Sequence, residues 1–120
     1  MANAASNTFQ VGGICRRKWS FDTAGNGAAW DTSALGGFVR TVHACGTWGG
    51  GTITWEGSFD GVTWFTLTDG IGIAAGNALN MTANKVRKVG EITQYIRPKL
   101  ASGSGWALIC VCDIIGGNAT

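Results

Sequence analysis

Charge is scarce in this 120-residue chain: Asp, Glu, Lys and Arg make up 13 % of it, about half the roughly 25 % of an ordinary globular domain. Proline occurs once, at Pro98, and histidine once, at His43. One proline excludes a proline-rich linker. One histidine leaves little for acid–base chemistry to use. No apolar run has the length of a membrane helix, so no membrane partner is expected. No segment holds a 3.6-residue hydrophobic period over three turns, and no Leu/Glu/Lys-rich block exists, so helices are not expected. The net charge of +2 is too small to argue for nucleic acid. Arg16-Arg17-Lys18, Lys85-Arg87-Lys88 and Arg97-Lys99 read as solvated strand faces. The first residues, Met1-Ala-Asn-Ala-Ala-Ser-Asn-Thr, have no basic start and no apolar stretch, which predicts synthesis in a cytosol. Cys15, Cys45, Cys110 and Cys112 are then thiols, read as small buried hydrophobes.

What is present is strand material. Hydrophobic residues form 45 % of the chain, enough for a core, and the length bounds it to one domain. Twenty glycines supply turns. Short β-rich runs between Gly-rich turns predict seven or eight strands in an all-β, single-domain antiparallel β-sandwich, jelly-roll or immunoglobulin-like. Residues 1–8 read as a flexible arm ahead of a domain at 9–120. The runs are Phe9 to Asp22 (broken near Gly12-Gly13), Phe38 to Cys45, the stretch Gly51 to Leu67, Lys85 to Ile92, Gln94 to Ala101 and Trp106 to Ile115. Thr23 to Gly37 and Thr68 to Asn84 read as long loops. Pro98 has no N–H to give, so its strand is expected at an edge or locally irregular. Trp106 to Ile115 is apolar on both faces and should be buried on both.

Gly51 to Leu67, GTITWEGSFDGVTWFTL, reads as a β-hairpin. Ile53, Trp55, Gly57 and Phe59 alternate with polar residues, the period of a half-buried strand. Asp60-Gly61 suits a tight reversal, and Val62 to Leu67 begins the return strand.

Gly57-Ser-Phe-Asp-Gly-Val-Thr-Trp64, closed by Leu67, resembles a pattern of small β-sandwich structural proteins of tailed phages. A Tyr95-x-Arg97 strand, a Ser102-Gly-Ser-Gly105 turn and a hydrophobic last strand are similar in the same order. The likeness is to head decoration (cement) proteins and covers roughly residues 50–115. It implies a virion protein on the capsid exterior, bound to the major capsid protein, often as a homotrimer, with an N-terminal arm reaching a neighbour. Asn3, Ser6, Asn7, Phe9, Trp30 and Trp48 are the partner contacts expected on that reading. Ser-x-Asp-Gly-x-x-Trp also occurs in carbohydrate-binding sandwiches, where an exposed Trp30 or Trp48 would stack on sugar. A tail or neck component is a further alternative.

No enzyme is expected, because no nucleophile, acid or base is singled out among scattered carboxylates. One metal set has a spacing specific enough to consider. His43 and Cys45 share one strand face, and Cys110 and Cys112 share another; on neighbouring strands the four would suit tetrahedral zinc. One residue inside each pair, rather than the usual two to four, argues against it. The expectation is no metal and no cofactor. Six tryptophans remain, with Trp30 and Trp48 in loops as core anchors or partner contacts.

Overall fold

The computed structural model describes residues 9–11, 14–33, 39–70 and 76–115. They form eleven strands: β1 (Phe9–Val11), β2 (Ile14–Phe21), β3 (Gly25–Asn26), β4 (Trp30–Asp31), β5 (Val39–Thr47), β6 (Thr52–Ser58), β7 (Phe65–Thr66), β8 (Asn80–Met81), β9 (Lys85–Val89), β10 (Tyr95–Ala101) and β11 (Ala107–Ile115). Six have five residues or more; the extra short ones lie largely in the stretches read as loops. The arm at 1–8 lies outside the described residues.

The fold is an all-β sandwich of two antiparallel sheets. One runs β1-β2-β11-β5-β9. In the other, β10 and β6 form the centre; β3 and β4 flank β10, and β7 and β8 flank β6. Period-two alternation sends Cys15, Trp19, Phe21, Val42, Ala44, Leu108, Cys110, Cys112 and Ile114 inward from the first sheet. Ile53, Trp55, Ile96 and Leu100 meet them from the second. Trp19 joins the layers, with edge-on contacts to Trp55 (5.6 Å, 74°) and Trp30 (6.4 Å, 70°). Such pairs contribute about 0.5–1.5 kcal/mol each beyond the area they bury. Its indole N–H donates to the Ala28 carbonyl at 2.7 Å.

Pro98 does not sit on an edge strand. β10 is interior, but the chain beside Pro98 is the break between β3 and β4. On the other side, Trp55 turns its own N–H and C=O away from Pro98, toward Leu79 and Leu67. A residue without an N–H therefore leaves no ladder bond unmade, and its carbonyl accepts from Gly27 at 2.7 Å. Gly27 is required at this approach, since a Cβ there would lie 2.9 Å from Trp19 Cδ1.

β11 is apolar on both faces, and its middle is buried on both, with Val111 and Asp113 under 10 % exposed on the outer side. Its ends open outward at Ile109 and Ile115, 38 % and 40 % exposed. Arg40 is buried without an ion-pair partner among the described residues. Its guanidinium donates to the Thr93 carbonyl and to Thr32 Oγ1, both at 2.8 Å.

Candidate functional site

The hairpin exists, but its turn is wider than Asp60-Gly61 alone. β6 stops at Ser58, and pairing resumes only at Gly57↔Phe65 and Glu56↔Thr66. The intervening residues are fixed by two side chains. Ser58 Oγ accepts from the N–H of Gly61 at 2.9 Å and of Asp60 at 3.2 Å, and donates to Asp60 Oδ1 at 2.9 Å. Asp60 Oδ1 also accepts from the N–H groups of Val62 and Thr63, both at 2.8 Å. These bonds are why Val62 and Thr63 stay in the turn instead of extending β7. They also hold the Asp60 carboxyl below its ordinary pKa, the Thr63 and Val62 amides first among the causes. Gly61 takes φ +76° against the Tyr95 ring.

Three large apolar side chains stand out from this turn: Phe59, Val62 and Phe65, at 67 %, 80 % and 56 % exposed. The alternation through Ile53, Trp55 and Gly57 holds, but it predicted Phe59 inside. The strand ends one residue earlier, and the turn carries Phe59 into solvent. Beside the turn, Arg97 lies over the Trp64 ring at 3.8 Å from its centroid and donates through Nε to Glu56 Oε1 at 2.9 Å. Trp64 is thus an outer-face residue rather than a core one, with one ring face covered. The result is an apolar projection, held by hydrogen bonds and bordered by a stacked cation.

Trp30 is the core anchor of the two readings given for it: it is 4 % exposed and packs on Trp19, which corrects its placing as a partner contact or sugar platform. Trp48 is half-buried against the core, and its indole N–H donates to Asn84 Oδ1 at 2.9 Å. Phe9 lies in β1 opposite Arg16. Asn3, Ser6 and Asn7 lie outside the described residues. The exposure of Phe59, Val62 and Phe65 was missed, although Ser58-x-Asp60 is the signal that could have found it: its side chains bind the turn amides and end the strand.

His43, Cys45, Cys110 and Cys112 do lie on adjacent strands. The register, however, pairs His43 with Val111 and Cys45 with Ile109, while Cys110 and Cys112 pair with Ala44 and Val42. The two sets therefore point to opposite faces of the sheet. Among the described residues no three His, Cys, Asp or Glu side chains gather as a metal would need. Burial raises the Cys110 thiol pKa, and raises that of Cys112 to about 12, consistent with inert packing. Cys45 is exposed, contrary to the reading of all four as buried.

On the outer face Arg16 clasps Asp113 through two bonds of 2.6 and 2.9 Å. His43 Nε2 stands 4.0 Å from the same carboxylate. Burial lowers the His43 pKa, partly opposed by Asp113. Asp69 and Glu91 are structural too: Asp69 holds Arg87 (2.6 Å), and Glu91 accepts from the Thr68 N–H and hydroxyl (both 2.7 Å). No helix among the described residues is long and apolar enough to cross a membrane. No family model, no curated protein and no solved structure matches the chain.

Proposed function

We propose that this chain is a virion structural protein, a decoration protein that binds the outside of a tailed-phage head and braces its capsomer joints as a homotrimer. The observation that carries the reading is the Ser58–Phe65 turn, which lies within the stretch that resembles the phage pattern. It presents three large apolar side chains in a geometry set before any partner arrives. Burying one such side chain contributes about 1.5–3 kcal/mol, so the three supply roughly 5 kcal/mol or more before the costs of association. A turn that is already ordered gives up little further entropy on docking. Three copies on one trimer multiply the effect through effective concentration. The action is mechanical: a stiff sandwich seated across a joint adds buried contact area and slows its opening. The scarcity of charge fits a surface partly covered in an assembly.

The test uses expanded heads of the phage that encodes the chain, stripped of their decoration protein. Added protein is expected to have a trimeric native mass on the head and to raise the temperature of DNA release. A variant with Phe59→Ser, Val62→Ser and Phe65→Ser should keep its fold and lose that effect. An unchanged release temperature with the unaltered chain would overturn the reading. A sixfold ring would instead place the chain in a tail or neck.

A further inference from the structure

The second outward-looking feature lies on the edge of the other sheet. Unpaired strand edges invite another strand, and folds limit them by keeping edge strands short. Among the described residues, β3, β4, β7 and β8 have two residues each and β1 has three. β9 is the exception. It has five residues, pairs with β5 alone among the described residues, and spans about 16 Å at the usual rise per residue. Its far end is closed by the Gly90 N–H donating to the Thr68 carbonyl at 2.8 Å, so the open part is Lys85–Lys88.

The side chains along this edge are of one sign. Lys85 and Lys88 are exposed, and neither has an ion-pair partner among the described residues. Arg87 is different: it is tied down by Asp69 at 2.6 Å and by the Ala78 carbonyl at 3.1 Å. Between the lysines Val86 is 66 % exposed on the outer face. Beside it opens a depression of about 400 Å³ lined by His43, Ala44, Cys45, Asn84, Lys85 and Val86. Two copies of this edge repel each other, because antiparallel self-pairing brings lysines and arginine together. The same charges favour a strand carrying carboxylates.

We propose that β9 is a docking edge for an acidic extended segment of a partner protein, which adds to the sheet as a sixth strand. Main-chain hydrogen bonds along Lys85–Lys88 hold the segment; Lys85 lies on one face of the sheet and Val86 and Lys88 on the other, so the segment needs carboxylates on both faces to meet the lysines and one apolar side chain to cover Val86 beside the depression. The edge and the turn belong to different sheets, so this proposal stands or falls without the capsid reading.

The experiment titrates the full chain with two short blocked peptides of equal length, each with a single central valine, one otherwise built of glutamate and one otherwise of lysine, so that both faces of the added strand carry the charge. The glutamate peptide is expected to bind with amide shifts and slowed exchange confined to Lys85–Lys88, and to weaken as salt is added. The lysine peptide should bind at least about tenfold more weakly, as two exposed ion pairs replaced by repulsion imply. Lys85→Glu with Lys88→Glu should reverse the preference. Equal binding of both peptides, binding of neither, or shifts that map to another edge would each overturn the proposal.

Discussion

Replacing Ser58 by alanine tests whether the projection is held by hydrogen bonds or by packing alone. Ser58 is fully buried at the end of β6, and alanine fills nearly the same space, so the change leaves no cavity. It removes the acceptor for two backbone N–H groups, those of Asp60 and Gly61. Each such bond contributes about 1 kcal/mol net, which puts the loss near 2 kcal/mol. The third bond, from the Ser58 hydroxyl to Asp60, adds little because that carboxylate is open to water, which replaces it. For a chain of this size the loss corresponds to a fall in Tm of about 8 °C. The assay is urea denaturation followed by tryptophan fluorescence, in which the midpoint should drop with the slope unchanged. Amide exchange at Gly61 should accelerate beyond the global loss, showing that the turn opens locally. A loss below about 0.5 kcal/mol, within the range of neutral surface changes, would refute the claim that this hydroxyl fixes the turn.

Three further outcomes are expected. A thiol reagent should modify one cysteine of the folded protein, Cys45, and reach Cys15, Cys110 and Cys112 only in denaturant; peptide mapping identifies the site. Asp60 and Asp69 titrate below their ordinary value of 3.8 when folded, Asp69 chiefly through Arg87, so the unfolded chain binds more protons just below that pH. Stability should therefore rise with pH through this window and be lost as pH falls through the folded values, and Asp60→Asn should flatten a denaturation series across it. Gly46→Ala places a Cβ 2.1 Å from the Ala107 carbonyl oxygen at φ +129°, and should cost about 3 kcal/mol or more in a denaturant titration.

The strands were legible in the sequence because period-two alternation is a local property, visible in Ile53-x-Trp55 and in Cys110-x-Cys112. What the alternation leaves open is where a strand stops and which face looks inward relative to its neighbour. Phe59 was misplaced for the first reason: a serine and an aspartate two residues apart capture the amides that the strand would have used. The zinc set failed for the second. Each pair shares a face, but the pairing of His43 with Val111 sets the two faces back to back, and that register arises from contacts between segments 68 residues apart (111 − 43). For Trp30, small polar neighbours leave both a core anchor and a partner contact open. Trp19 and the break beside Pro98 draw it into the core. The edge at β9 was readable as a charge cluster, but its being unpaired depends on strand order, which no local pattern encodes.

The position of β11 sets the order in which the protein can come into being. It is made last among the described strands, yet it is the middle of its sheet, hydrogen-bonded to β2 on one side and β5 on the other. While the ribosome is still synthesising it, β2 and β5 have no partner between them, and the tryptophan that joins the layers lacks Cys110, its neighbour in the register. The β2–β11–β5 sheet cannot assemble progressively from the N-terminus; it closes when the final strand is inserted. Folding is therefore expected to be a late and concerted event, slowed by the long loops it must close. A ribosome stalled before residue 107 would hold a chain with a vacant slot at its centre, exposed to any extended segment that happens to fit.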